Sequence, residues 1–140
     1  MKQKIKTIAW AIIIVVIAFA YAHIAKAHNV YNLDIDPSEY KATGILTETG
    51  VVQEFVSQEE YLDAVRVKTT IFTNCEKVKL NYSIVDVESQ KVLAEGRKGC
   101  KKVKNSKFFE LDFKRINNCK NKKLELKINS QGQTIDTGVG

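Results

Sequence analysis

Nineteen consecutive residues without Asp, Glu, Lys or Arg, Thr7 to Ala25 (TIAWAIIIVVIAFAYAHIA), constrain this chain more than any other feature. As an α-helix they reach about 28 Å at ~1.5 Å per residue, close to the ~30 Å hydrocarbon thickness of a bilayer. A surface helix of a soluble protein carries a polar stripe every three to four residues, and Ile8 to Ala22 has none. Trp10 and Tyr21 stand near opposite ends, where amphipathic rings prefer the headgroup layer. Lys2, Lys4 and Lys6 precede the run, whereas Lys26 follows it and Asp34, Asp36 and Glu39 come next. That lysine bias predicts a cytoplasmic N-terminus, a lipid-embedded helix and everything beyond Lys26 outside the cell membrane. A cleaved secretory signal competes with a retained anchor, because Ala20-Tyr21-Ala22 and Ala25-Lys26-Ala27 are small-x-small triplets. The run's length and the lack of a Gly or Pro before those triplets favour the anchor. Both readings export the remainder.

Beyond the run the period changes from helical to two. Val51, Gln53 and Phe55 share a face; Val65, Val67, Thr69 and Ile71 alternate with Arg66, Lys68, Thr70 and Phe72. Val78, Leu80, Tyr82 and Ile84 alternate likewise, as do Phe109, Leu111 and Phe113, and Leu124, Leu126 and Ile128, with a shorter strand at Val92 and Ala94. Such alternation marks half-buried strands. Turn-forming residues at Thr73-Asn74, Glu88-Ser89-Gln90, Gly96 to Ser106, Asn117-Asn118 and Ser130-Gln131-Gly132 separate them.

The expected fold is all-β, an antiparallel two-sheet sandwich preceded by one transmembrane helix. The expected division is a cytoplasmic tail 1–6, a membrane helix 7–25, a juxtamembrane linker 26–44 holding Pro37, and an extracytoplasmic sandwich 45–140. A short strand is expected around Ile45 and an acidic helical turn from Ser57 to Leu62. The sequence reaches Asp136 to Gly140 where a further strand would begin, which predicts a sandwich short of its closing strand and an adhesive edge.

Val52-Gln53-Glu54-Phe55, then Tyr61-Leu62-Asp63-Ala64-Val65-Arg66-Val67, with Leu80 to Leu93 and Phe109 to Ile128 continuing the pattern, resembles jelly-roll, galactose-binding-like ectodomains of bacterial membrane proteins. Such ectodomains are often linked with cell-surface glycan assembly. The resemblance implies a jelly-roll-like sandwich facing a glycan or a membrane-protein partner. The three cysteines and the missing C-terminal strand depart from that pattern.

Charge is unevenly distributed: residues 28–96 carry six basic and twelve acidic side chains, and residues 97–127 twelve basic and three acidic. The densest stretch contains Arg97, Lys98, Lys101, Lys102, Lys104 and Lys107. It reads as a solvated loop or as a contact for lipid headgroups or an anionic wall polymer. An exported domain does not meet cytosolic nucleic acid, so that partner is set aside. His23 and His28 flank the membrane run, which leaves the β domain without a His base for a Ser or Cys nucleophile. The carboxylate clusters Glu59, Glu60, Asp63 and Asp86, Glu88 fall on turns, where solvated surface is the commoner role. Tyr31, Tyr40, Tyr61 and Phe72 are the candidate sugar-stacking rings.

Among the cysteines, Cys75 and Cys100 fall at one end of a predicted hairpin and Cys119 at the other. Cys75–Cys100 is the preferred bridge, with three reduced thiols as the alternative. The spacings, with no His nearby, do not form a metal site, and no cofactor motif is present. The expected role is a non-enzymatic, membrane-anchored module that binds a surface glycan or a membrane-protein partner. An accessory or degenerate saccharide-acting enzyme, or a structural envelope protein assembling through its sheet edge, are the alternatives.

Overall fold

The structure is a computed structural model and describes residues 2–30, 42–72, 74–133 and 138–140. Among these residues one helix, α1 (Lys2–Ala22), precedes nine strands: β1 (Ala27–Asn29), β2 (Val51–Val56), β3 (Tyr61–Thr69), β4 (Ile71–Phe72), β5 (Lys79–Asp86), β6 (Val92–Gly99), β7 (Lys107–Asn117), β8 (Lys123–Gln131) and β9 (Gly138–Val139). A 3₁₀ turn, Cys100–Lys102, lies between β6 and β7.

No part of α1 is covered by the domain, and α1 is long and apolar enough to cross a membrane. It starts before Thr7 and ends at Ala22, three residues short of the uncharged run's end. The run contains no breaker at that point; the chain leaves the helix because its next residues are held by the domain.

The domain is a sandwich of a three-stranded sheet, β1-β3-β7, and a four-stranded sheet, β2-β8-β5-β6, with the small β4-β9 pair beside them. All pairings are antiparallel except β1 with β3, which is parallel and sets Ala27 opposite Ala64. The expected linker thus contributes a strand of its own. The alternation in β5 and β8 aims Leu80, Tyr82, Ile84, Leu124, Leu126 and Ile128 inward. Each fully buried Leu or Ile contributes roughly 1.5–3 kcal/mol by leaving water. In β3 and β7 the register shifts between Leu62 and Ala64, so Leu62 and Val65, and Leu111 and Ile116, all face the core despite their odd spacing.

The segment around Ile45 is irregular, yet it bonds like a strand: the Leu46 N–H donates to Val139 O (2.8 Å) and the Ser130 N–H to Thr47 O (3.1 Å). Gly138–Val139, where a further strand was expected to begin, pairs with β4, and Val139 is fully buried. The stretch from Ser57 is a hydroxyl-capped turn rather than a helical one, with the Glu59 N–H donating to Ser57 Oγ.

The β7 edge is closed by side chains from the opposite sheet. Tyr82 Oη donates to Asp112 O (2.6 Å) and Lys98 Nζ to Glu110 O (2.9 Å), occupying two outward carbonyls of an edge strand. Gly96 makes room for this: a Cβ there would fall 2.5 Å from the Tyr82 ring. Gly96→Ala is therefore expected to lower stability more than Tyr82→Phe, which removes one hydrogen bond worth about 1 kcal/mol. Chemical denaturation of the two variants checks the order.

Candidate functional site: the junction and the basic end

The start of β3 is bonded to the short segment that follows α1. The N–H groups of Asp63 and Ala64 both donate to Lys26 O (2.8 and 3.2 Å), and the Lys26 N–H donates to Asp63 Oδ2 (2.9 Å). Tyr61 Oη donates to Ile24 O (3.0 Å) and Ala22 O (3.3 Å), two carbonyls that a helix end leaves unpaired. Arg115 grips Asp63 through Nε (2.8 Å) and Nη2 (3.1 Å) while its guanidinium lies 4.0 Å from the Tyr61 ring centre. The Arg115 hydrogen bonds hold the Asp63 carboxyl below the ordinary carboxylate value. Asp63 is thus a structural acceptor, and the carboxylates once grouped with it diverge. Glu59 pairs with Lys26 (3.7 Å). Asp86 receives the turn N–H groups of Ser89 (3.1 Å) and Glu88 (3.0 Å), which lower its pKa. Neither cluster forms a carboxylate pair poised for acid–base work.

The junction occupies one end of the sandwich. β3 is nine residues long and runs from Tyr61 at the junction to Thr69, about 27 Å away. At that far end the Ser106 N–H donates to Thr69 O (2.8 Å), and Lys79 lies opposite both Gly99 and Gln131. Lys101 and Lys102 on the 3₁₀ turn, Lys104, and Lys107 at the start of β7 are exposed there. Lys77 and Lys79, from a segment more than twenty residues earlier, are exposed at the same end. These six lysines have no carboxylate partner among the described residues, and Glu76 is the one acidic residue within 76–79 and 99–107.

The other two members of the expected basic run are committed elsewhere. Arg97 Nη2 donates to Gln131 Oε1 (2.8 Å), and Lys98 pairs with Asp112, whose carboxyl is held low by that hydrogen bond. Both sit on β6, because the strand continues to Gly99 instead of opening into a loop at Gly96.

Cys75 and Cys100 meet at this end. Cys75 Sγ is 3.2 Å from Cys100 O, and burial pushes the Cys100 thiol up to about 12. The structure places no bond between any two of the three sulfurs, so the expected Cys75–Cys100 bridge is not formed in it, and Cys119 is buried at the junction end beside Ile116 O (3.4 Å). A cleft of about 770 Å³ opens between β1 and β2, floored by Leu80, Leu126 and Val139; at its junction end His28 stacks on Phe55 with ring centres 4.7 Å apart. Burial lowers the His28 pKa. Of the candidate sugar-stacking rings, Tyr31 and Tyr40 lie outside the described residues, Tyr61 serves the junction, and Phe72 is half-buried in β4. Among the described residues no group of three or more His, Cys, Asp or Glu side chains is placed to hold a metal ion. No family model matches the sequence, and no curated protein matches it.

Asp63 has a folded pKa below its ordinary 3.8, so its contribution is complete above that value and fades as pH falls through the folded pKa. Asp63→Asn is expected to lose about 1–2 kcal/mol near neutrality. Thermal unfolding at pH 7 and pH 3 should show the gap from the parent protein shrinking in acid.

Proposed function

We propose that the chain is a single-pass membrane protein, N-terminus cytoplasmic, whose non-enzymatic sandwich stands outside the membrane and presents its basic end to an anionic cell-surface glycan. The carrying observation is that six lysines without a carboxylate partner among the described residues gather at the end of the sandwich opposite the junction with α1. Cleavage after Ala27 would cut into β1 and discard Lys26, whose backbone bonds Asp63 and Ala64, whereas cleavage after Ala22 would remove only the carbonyl that Tyr61 meets at 3.3 Å. The distance between the ends argues for a polymer over the anchoring bilayer as the basic end's partner. Attraction to anionic headgroups decays over a Debye length of about 8 Å at physiological salt, whereas β3 spans roughly 27 Å between the junction and the basic end.

The module does no chemistry in this reading. Its best-placed carboxylates are already bonded to arginine, lysine or turn N–H groups. A membrane-protein partner with an acidic surface is recognised by the same charge and is distinguished by experiment.

The test uses the full chain in phosphatidylcholine nanodiscs with a poly(glycerol phosphate) polymer as probe. Binding is expected to weaken steeply with salt, and K101Q/K102Q/K104Q to reduce it at least about tenfold, given ~1 kcal/mol per lysine near an anionic surface. Salt-insensitive binding, or binding untouched by the triple substitution, would overturn the proposal. Arg97→Gln, a residue already hydrogen-bonded to Gln131, should change affinity much less.

A further inference from the structure

We infer that Cys75 and Cys100 form a disulfide, and that this bond is a covalent brace beneath the basic end. The backbone already holds the two residues together through one intermediary. The Val78 N–H donates to Cys75 O (3.0 Å), and Val78 O accepts from the Cys100 N–H (3.0 Å). Cys75 Sγ lies 3.2 Å from Cys100 O, which puts that sulfur within about 6 Å of the Cys100 Cα. Each sulfur of a disulfide lies roughly 3–5 Å from the partner's Cα, so a sulfur already touching the Cys100 main chain is near bonding range.

Both side chains belong to the buried core, so no solvent layer separates them. Cys119 is excluded. It sits at the Asp86 end of β5, where the Lys122 N–H donates to Cys119 O (2.9 Å) and Lys122 Nζ reaches Asp86 Oδ2 (3.4 Å). Cys75 sits at the Lys79 end, and the eight residues of β5 put about 23 Å between the two ends.

The chemistry needs a disulfide-bearing thiol oxidant, small molecule or protein. The Cys75 thiolate attacks one sulfur of the oxidant, breaking its S–S bond and releasing one carrier thiolate. That thiolate takes up a proton. Cys100 then loses its proton to solvent base, and its sulfur attacks the Cys75 sulfur, expelling the second carrier thiolate. Two electrons pass from the protein to the carrier, which leaves as two thiols. Cys75 is the entry point, because Cys100 is fully buried and Cys75 retains 6% exposure.

The bond would tie the segment carrying Lys77 and Lys79 to the turn carrying Lys101 and Lys102. Those segments are otherwise joined by main-chain bonds at a strand end, where ladders fray first. Closing a loop of some 25 residues restricts the unfolded chain and raises the melting temperature by about 10 °C.

The experiment treats the full chain in detergent with oxidised glutathione, blocks remaining thiols under denaturing conditions, and maps tryptic peptides by mass. The expected product joins residues 69–77 to 99–101 and leaves one alkylated thiol, in residues 116–120. Cys119→Ser should still give that linked pair, and reductant should lower the melting temperature of the parent but not of Cys75→Ala. Three free thiols after oxidation, a bridge that includes Cys119, or a melting temperature indifferent to reductant would overturn the inference. Thiol mapping needs neither polymer binding nor membrane insertion, so its failure and that of the proposed function are separate results.

Discussion

The carbonyl of Lys26, shared by the N–H groups of Asp63 and Ala64, is the contact on which the arrangement of this protein depends. A chain leaving a helix carries unpaired carbonyls, and a sheet edge carries unpaired N–H groups; each costs free energy if buried without a partner. Here each satisfies the other. Tyr61 supplies a donor for the last helical carbonyls, and Arg115 neutralises the Asp63 carboxylate that receives the Lys26 N–H. No residue is left to act as a free linker between Ala22 and β1 beyond four positions. The helix therefore dictates which end of the sandwich lies nearest to it, and at that end three cations are paired with carboxylates.

Polarity follows from this. At the junction end, Lys26, Arg115 and Lys122 are matched by Glu59, Asp63 and Asp86. At the far end Lys77, Lys79, Lys101, Lys102, Lys104 and Lys107 have no carboxylate partner among the described residues. Exposed ion pairs add little stability, so the pairing near the helix matters more as charge cancellation than as glue. The consequence is a domain nearly neutral where it meets the helix and cationic where it is most distant.

Much of this fold is legible in the sequence, and the parts that are not share a cause. β5 and β8 are strict alternations with no interruption, so Leu80 to Ile84 and Leu124 to Ile128 reveal both strands and their inner faces. β3 and β7 are harder because the register shift near Asp63 reverses which parity faces inward. Phe113 continues the pattern on paper, while Ile116 is the residue that reaches the core. The phase break between Phe113 and Ile116 is the one local hint. β1 gave no hint, since three residues cannot display a period and parallel pairing leaves no turn signal. The basic run was legible as composition, but its membership depends on partners distant in sequence. Lys98 is removed by Asp112, and Lys77 and Lys79 are added by the pairing of β5 with β6.

That exchange sharpens the argument for a binding role. Charge gathered by sequence proximity alone is commonly a solvated strand or loop face. Charge gathered by tertiary pairing from two segments, after the members with nearby carboxylates have been neutralised, is a property of the folded surface. Like charges held within a Debye length of one another repel, so an unpaired lysine cluster lowers the stability of the domain that carries it. The sandwich bears this at the end where β5, β6 and β7 converge, above the fully buried Leu80, Cys100 and Val139. A partner that brings negative charge relieves the repulsion as it binds, which couples occupancy of the basic end to the stability of the strands beneath it.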